Sequence, residues 1–375
     1  MPSPKLTSVY HRVRQILESA RQRSARSVNT TQVVANWLIG QELIEEEQKG
    51  HTKAGYGVRL LQELSARLKA DFGNGYSVDN LELFRRFYQT YPELISDAVR
   101  RKLAASEISD AVRRKSAAAS DLPVLVPPES WQPGKLHPNL SWTHYRKLVR
   151  IEQTRARAFY EIESIKNHWV ARELERQVDS LLYERLAKSR DKAGLLKLAN
   201  KGHQIQQPAD IFKDPVVIEF LGLPESHKLV ESRVEAALIN NLQTFLLELG
   251  TGFAFVARQR RITLNGDHFY IDLVFYHMIL KCYVILDIKT GTLTHQDLGQ
   301  LQLYVNFYDR EIRTKGDNPT LGLILCTDKN DAVVRYTLGP EQQKTIFTSR
   351  YKLHLPTEKE LQVEIKRELR ELNEA

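Results

Sequence analysis

Three charged residues, Asp272, Asp287 and Lys289, interrupt two strongly apolar segments of the sequence. Successive side chains of a β-strand point to opposite faces, so Asp287 and Lys289 project from the same face of one strand. If the two segments form a hairpin with Tyr276 opposite Tyr283, the same register sets Asp272 opposite Asp287, with Cβ atoms about 4.5–5.5 Å apart. The sequence therefore predicts two facing carboxylates with an ammonium group beside them.

Two carboxylates at that distance repel each other, and burial of either one without a partner is expensive. The pair therefore needs a shared proton or a positive charge, and Lys289 supplies one such charge. A divalent metal would supply the remainder, because Mg²⁺ favours one or two carboxylates together with waters and a phosphate oxygen. The alternative is a structural ion pair between Lys289 and Asp287 at the sheet edge. That alternative must also explain Asp272 and a glutamate of the preceding helix, Glu235.

The sequence around these charged residues predicts an α/β unit, whose helices and strands must position them. A helical pattern over residues 228–250 is followed by three strand-like runs, FAFVARQRRITL, HFYIDLVFYH and KCYVILDIKTG. In the second run, alternation predicts that Tyr270, Asp272 and Val274 share a face.

A second helix and a further strand complete this unit. Thr294 is the predicted N-cap of the helix, with Asp297 as its reciprocal partner three residues later. The apolar run PTLGLILCTD then supplies another strand. The order helix, three strands, helix, strand predicts a mixed central sheet.

Residues 228–355 resemble the YhcG-type PD-(D/E)xK nuclease family of bacteria. The resemblance lies above all in TFLLELGTGFAFVARQRRI, YIDLVFYH, CYVILDIKTGTLTHQDLGQLQLYVNFYDRE and NPTLGLILCTDKND. The preceding part resembles the N-terminal domain that accompanies this nuclease domain, through VNTTQVVANWLIGQELIEEEQKG, YGVRLLQELSARLKADFGNGYSVDNLELFRRFY and LSWTHYRKLVRIE. Ile271 stands where the superfamily name has proline, a position that need not carry chemistry.

The resemblance implies a restriction-endonuclease-like domain and a role for each matching residue. It assigns Asp272 and Asp287 as metal ligands, together with the carbonyl of Ile288, and Lys289 as the group that orients or activates the attacking water. The implied cofactor is Mg²⁺, with Mn²⁺ as a substitute.

Two positions of the implied site remain open. Glu235 is the candidate third acidic residue, and Glu231 one turn earlier competes with it for that role. Gln300, in the helix after the strands, is a candidate polar helper whose alternative interpretation is a plain helix-surface residue.

The N-terminal region is predicted to be all helical. Helices over about 58–71 and 78–90 flank the turn Gly73-Asn74-Gly75, and Ser77 is a predicted cap of the second helix. A helix, a short glycine turn and a helix resemble a helix-turn-helix, which would present three residues to nucleic acid. These candidate nucleic-acid-binding residues are Asn80, Arg85 and Arg86. Ordinary helix packing with a solvated basic face is the alternative.

The predicted architecture is an α+β protein of two domains. A helical nucleic-acid-binding domain is expected over residues 1–200 and the nuclease domain over 205–375. A duplicated, proline-rich insert over about 95–138 interrupts the first domain, where ISDAVRRKLAAS is followed by ISDAVRRKSAAAS. Residues 1–208 hold 34 Lys and Arg against 23 Asp and Glu, and the remainder of the chain holds 20 against 23. A basic N-terminal part and a mildly acidic C-terminal part suit a protein that binds a polyanion with the first part and a cation with the second.

Composition and missing motifs exclude several classes. No stretch approaches the ~20 apolar residues of a membrane span, and the first residues lack a secretory signal, so a cytoplasmic location is expected. Cys282 and Cys326 match no metal-ligand or redox spacing and are expected to be buried free thiols. No P-loop and no zinc-protease spacing occurs.

The predicted activity is a metal-dependent DNA nuclease, which the resemblance connects with defence against foreign DNA or with repair. An RNA nuclease with the same site and an inactive DNA-binding or scaffold protein are the alternatives. The expected partner is nucleic acid, and cutting both strands of a duplex with one site per chain favours a homodimer.

Overall fold

The computed structural model describes residues 29–30, 32–47, 56–95, 131–187, 192–224 and 230–357. The chain divides into two compact units. The first unit comprises Met1–Glu175 with Ala199–Gly202, and the second comprises Arg176–Leu198 with His203–Ala375. The predicted helices before residue 29 and the duplicated stretch at 96–130 lie outside the described residues.

The described residues before position 216 contain helices and turns and no strand, as the sequence predicts. The helices are α1 (residues 32–47), α2 (Tyr56–Phe72), α3 (Val78–Thr90), α4 (Trp142–Leu148), α5 (Thr154–Lys166), α6 (Ala171–Asp179), α7 (Leu182–Ala187) and α8 (Lys192–Lys201). A core of Leu43, Leu61, Leu81 and Phe84 joins the first three helices.

The predicted helical hairpin of α2 and α3 is confirmed. Gly73 ends the first helix with a φ of 87°, which glycine adopts without a steric penalty, and a single 3₁₀ turn over Asn74–Tyr76 follows. Ser77 is the N-cap of α3 and accepts a hydrogen bond from the backbone N–H of Asn80 at 3.3 Å.

The two chain segments on either side of residues 96–130 are fastened to each other. The N–H of Leu136 donates to the carbonyl of Leu94 at 3.2 Å, and Lys135 pairs with Glu93 at 2.8 Å. Buried Glu161 of α5 bridges the same two segments through the Tyr91 hydroxyl and the Gly134 N–H. Burial raises the pKa of Glu161 to about 7.

The second unit is built on a six-stranded mixed sheet. Its strands are β1 (Val216–Val217), β2 (Phe253–Leu264), β3 (Asp267–His277), β4 (Cys282–Thr292), β5 (Leu321–Asp328) and β6 (Ile346–Lys352), in the order β1-β6-β5-β4-β3-β2. The pairs β2–β3 and β3–β4 are antiparallel, whereas β4–β5, β5–β6 and β1–β6 are parallel. The predicted mixed sheet is confirmed, and β1 and β6 extend it beyond the four strands that the sequence analysis identified.

Helices cover both faces of the sheet. One face packs on α9 (Glu231–Asn240) and α10 (Leu242–Leu249), and the other packs on α11 (His295–Phe307). A short helix, α12 (Asp331–Thr337), follows β5. Thr294 caps α11 with Asp297 as its reciprocal partner, as the sequence predicts.

The single helix predicted over 228–250 is wrong, because the helix breaks at Asn241. The backbone of Asn241 leaves the helical region (φ −116°, ψ 29°), and its side-chain amide donates to the carbonyl of Ala237 at 3.0 Å. Asparagine side chains compete with the backbone for such carbonyls, which explains the break.

A buried charge network attaches α7 and the start of the second unit to the sheet. Glu248 of α10 is fully buried and accepts hydrogen bonds from Arg185 at 2.7 Å, Arg176 at 3.2 Å and the Val217 N–H at 3.0 Å. Burial raises the pKa of Glu248, but the cations Arg185, Lys213 and Arg176 outweigh it and lower that pKa to about 2. The cost of burying the negative charge of Glu248 is therefore offset by the neighbouring cations and hydrogen bonds.

Two expectations from composition can be compared with the described part of the chain. Cys282 and Cys326 are buried free thiols, as predicted. Across the described ranges, every helix is too short or too polar to cross a membrane.

Candidate active site

Asp287 and Lys289 lie together on β4, as the alternation of strand side chains predicts. Only 1% of Asp287 is exposed, and its Oδ2 lies 3.0 Å from Nζ of Lys289. Burial raises the pKa of Asp287 well above its usual range, and Asp272 raises it further, while Lys289 acts in the opposite direction. Burial lowers the pKa of Lys289, but the surrounding carboxylates outweigh that effect and raise it. Lys289 is therefore a protonated, cationic group at neutral pH.

The predicted hairpin register accounts for the position of Asp272 beside β4 only in part. Tyr276 pairs with Tyr283 as predicted, but the regular ladder between β3 and β4 ends at Leu273 and Leu286, one residue before the aspartates. Instead of facing Asp287 within the ladder, Asp272 accepts a hydrogen bond at Oδ2 from the N–H of Ile288, at 2.9 Å. The carboxylate of Asp272 thus contacts the backbone immediately after Asp287.

The predicted alternation of Tyr270, Asp272 and Val274 is interrupted at Asp272. Ile271 and Val274 both belong to the cluster beneath α11, although residues three apart on a regular strand point to opposite faces. The partner strand is also irregular here, because Gln259, at the position opposite Asp272, has a left-handed backbone with a φ of 43°.

Gln259 is a site residue that the sequence analysis missed. Its Nε2 donates to Oε2 of Glu235 at 2.7 Å and to Oδ1 of Asp272 at 3.1 Å, so one amide connects two carboxylates. A non-glycine residue held in this backbone region carries strain, which is found most often at functional sites. Its position opposite Asp272 in the hairpin register was the only sequence signal available.

The two competing glutamates of α9 occupy different positions. Glu235 lies on the Asp272 side through Gln259, and burial followed by the charge of Asp272 raises its pKa. Glu231 lies on the Lys289 side, with Oε2 at 3.9 Å from Nζ of Lys289 and Oε1 accepting from the N–H of Thr290 at 3.3 Å. The structure therefore brings both glutamates to the cluster rather than selecting one.

Gln300 contacts the cluster indirectly. Its Nε2 donates to the hydroxyl of Tyr304 at 2.6 Å, and that hydroxyl donates to the carbonyl of Tyr270 at 3.1 Å. Burial raises the pKa of the buried Tyr304, and the charges of Asp287 and Asp272 add to this effect. Tyr304, which the sequence analysis did not single out, connects Gln300 to the strand that carries Asp272.

The donor set fits a hard divalent cation. Within the described ranges, no group of three or more His, Cys, Asp or Glu side chains is arranged to hold a metal ion, and the candidate carboxylate ligands are the two predicted aspartates. Apart from its ion pair with Lys289, the buried Oδ2 of Asp287 has no hydrogen-bond partner among the described residues. Two neighbouring carboxylates that share a single ammonium group suit Mg²⁺, which takes its remaining ligands from water and phosphate.

The three predicted nucleic-acid-binding residues lie on α3, in the first unit. Asn80 donates its amide to the carbonyl of Gly75 at 3.0 Å, and Arg85 pairs with Glu47 at 2.9 Å. Arg86 is exposed. Two of the three side chains thus make contacts within their own unit, and DNA binding by this helix stays a prediction.

The mixed sheet and the cluster of carboxylates around Lys289 define a class of protein. Residues 209–368 match the family model of the YhcG PDDEXK nuclease domain, and residues 12–185 match that of the DUF1016 N-terminal domain. The second unit therefore contains a PDDEXK nuclease domain.

Similarity over nearly the whole chain gives the family. The chain is 34% identical over 355 residues to "Putative nuclease YhcG" of Escherichia coli (strain K12), covering 94% of this chain and 91% of that protein. The chain belongs to the YhcG family, as the sequence resemblance indicates.

Solved structures with similarity to the chain include two endonucleases. A repair endonuclease from Pyrococcus abyssi is 15% identical with a TM-score of 0.24, and a complex of EndoMS with double-stranded DNA is 14% identical with a TM-score of 0.25. Each match covers 36% of this chain and half of the other chain.

Proposed function

We propose that this protein is a metal-dependent nuclease that hydrolyses phosphodiester bonds in DNA. The observation that carries the proposal is the meeting of two aspartates at one place on β4: Asp272 accepts a hydrogen bond from the Ile288 N–H, and Asp287 lies 3.0 Å from the ammonium group of Lys289. Membership in the YhcG family supports the nuclease activity.

Asp272, Asp287 and the carbonyl of Ile288 would hold Mg²⁺, with Mn²⁺ as a substitute. When bound, the ion polarises a phosphate oxygen and lowers the pKa of water. The protein contributes fixed geometry, because the Ile288 N–H and Gln259 each hold one oxygen of Asp272 in place.

Lys289 supplies electrostatic stabilisation. Its raised pKa keeps the amine protonated, so it offsets the negative charge that develops on the phosphate in the transition state. Glu231 and Asp287 flank the ammonium group and limit where it can point. A compact charge on a flexible stem suits this role.

The test is cleavage by the full-length protein. Linear, circular, branched and single-stranded DNA are incubated in parallel with RNA, across a range of Mg²⁺ concentrations and in EDTA. We expect DNA cleavage that requires the cation and that falls at least ~100-fold in Lys289→Ala, the size seen when a preorganised charge or donor is removed from an active site. Lys315→Ala, at an exposed lysine far along the chain from the cluster, is the matched control.

The alternatives predict different outcomes. Cleavage of RNA alone would change the substrate of the same site. Retained DNA binding without cleavage under any cation would indicate an inactive scaffold. Wild-type cleavage by Lys289→Ala would refute the assignment of Lys289.

A further inference from the structure

The edge strand β2 exposes three arginines beside the candidate active site. β2 is the terminal strand of the sheet and spans Phe253–Leu264, so one side of it lacks a strand partner in the described sheet. Arg258, Arg260 and Arg261 are all exposed on this strand. An exposed basic row of this kind is typical of surfaces that contact polyanions.

The register of β2 on β3 places these arginines around the carboxylates. Arg258 pairs with Leu273 and Arg260 pairs with Ile271, so the two arginines bracket the position of Asp272. The charge of Arg258 acts on Glu235 of α9, whereas Arg260 forms a hydrogen bond with Tyr308, which follows α11.

The two arginines therefore point to opposite faces of the sheet, although they are two residues apart. A regular strand would place both on one face, and the left-handed backbone of Gln259 between them explains the difference. The strand thus presents positive charge on both sides of the carboxylate cluster.

These arginines also differ from other basic residues of the second unit in their partners. Arg176 and Arg185 are committed to Glu248. Neither Arg258, Arg260 nor Arg261 forms a salt bridge with any carboxylate that the structure describes.

We infer that Arg258, Arg260 and Arg261 hold the phosphate backbone of the nucleic-acid substrate on either side of the carboxylate cluster. The inference rests on the proposed nuclease function. It assigns the contacts with the phosphate backbone of the substrate to the second unit, which contains the nuclease domain. On α3, by contrast, Arg85 is already paired with Glu47.

The competing explanation is protection of the sheet edge. Charged side chains on an edge strand prevent pairing with another chain, and that role needs no nucleic acid. It predicts that loss of the arginines changes the oligomeric state and leaves nucleic-acid affinity unchanged.

The salt dependence of DNA binding separates the two explanations. Binding of a short DNA duplex to the full-length protein is measured in EDTA at several salt concentrations, so that no cleavage interferes. Each phosphate contact contributes ~0.9 to the slope of log affinity against log salt, so the triple alanine variant should lose about 2.7 from that slope. At ~0.15 M salt the same relation predicts that the triple alanine variant binds DNA on the order of 100-fold more weakly than the wild type.

Two controls identify charge as the cause. The triple Arg→Lys variant keeps the charges and should keep most of the slope, which a packing defect would not allow. Arg335→Ala removes an exposed arginine on α12 and should bind DNA like the wild type. Circular dichroism and size-exclusion chromatography show whether each variant is folded and monodisperse.

The outcomes distinguish this inference from the proposed function. A wild-type slope in the triple alanine variant overturns the inference, and if that variant also associates, edge protection is the role of the arginines. If the wild-type protein cleaves DNA and the triple alanine variant binds and cleaves DNA to the same extent, only the inference fails. If the wild-type protein neither binds nor cleaves nucleic acid, the proposed function fails with it.

Discussion

Gln259 combines a left-handed backbone with hydrogen bonds to two carboxylates, and these features can be removed separately. Gln259→Ala loses both hydrogen bonds and keeps the strained backbone. Gln259→Gly loses the same hydrogen bonds, but glycine adopts a positive φ without a Cβ clash. The two variants therefore form a matched pair that differs in backbone strain.

The expected magnitudes follow from these contacts. The left-handed backbone costs ~1–2 kcal/mol at a non-glycine residue, and the greater freedom of glycine in the unfolded chain offsets ~0.5–1 kcal/mol of that gain. The glycine variant should thus be more stable than the alanine variant by about 1 kcal/mol. Hydrogen bonds to charged groups contribute ~1.5–3 kcal/mol, and the lower end suits an exposed side chain, so both variants should cleave DNA roughly tenfold more slowly.

Two assays test this prediction. Urea unfolding at pH 7 gives the difference in the free energy of unfolding, and single-turnover cleavage at saturating DNA gives the rate constant. DNA affinity in EDTA should be unchanged, because Gln259 acts on the carboxylates. Thr263→Ala, on the same exposed strand, is the control and should cleave at the wild-type rate. Equal stability of the two variants would refute the strain argument, and wild-type rates in both would show that Gln259 does not hold the carboxylates.

Two further predictions concern stability. A pKa near 2 for Glu248, against an ordinary value of 4.5, corresponds to about 3 kcal/mol of stability that is present above pH ~5 and is lost as the pH falls towards 2. Glu248→Gln should therefore destabilise the fold by ~3–5 kcal/mol at pH 7, because Arg185 loses its buried partner, and should flatten the pH dependence of urea unfolding below pH 5; parallel curves for variant and wild type would contradict this. Replacement of residues 96–130 by a Gly-Ser linker of roughly half that length should change the free energy of unfolding by only about 0.6 kcal/mol, because halving a connection between fixed ends is worth ~0.6 kcal/mol and Leu94 and Leu136 already hydrogen-bond to each other. A loss of cooperative thermal unfolding in that deletion would show that the segment is needed for the fold.

The strands could be predicted from the sequence where apolar runs are long and turns are short. β2 has the predicted bounds, β3 begins one residue earlier, β4 is shifted by one residue at both ends, and β5 begins two residues later than the predicted run. The agreement is close because β-branched and aromatic residues dominate these runs. The pairing of Tyr276 with Tyr283, which was assumed as the hairpin register, is confirmed. β1 has only two residues, too few for any periodicity to show.

The details of the cluster could not be predicted, because they depend on local departures from regular geometry. Alternation assigns side chains to faces only while the backbone stays extended, and the positive φ of Gln259 is not encoded by its residue type. Glu231 and Glu235 are four residues apart on one helix face, so spacing alone could neither choose between them nor assign each its partner. The contact of Tyr304 with the carbonyl of Tyr270 likewise requires the packing of α11 on the sheet.

Two buried carboxylates of the same unit have opposite electrostatic outcomes, and the difference bears on what Asp287 is for. Glu248 is surrounded by three cations, which lower its pKa to about 2, so it has the properties of a structural ion pair. Asp287 is equally buried and has one nearby ammonium group, but Asp272 adds a second negative charge and its pKa stays well above the usual range. A structural ion pair at this position would need only Asp287 and Lys289, and Asp272 adds a negative charge that such a pair does not require. The retained excess of negative charge beside Lys289 is what a divalent cation would neutralise, and it therefore favours a metal-dependent site over the ion-pair alternative.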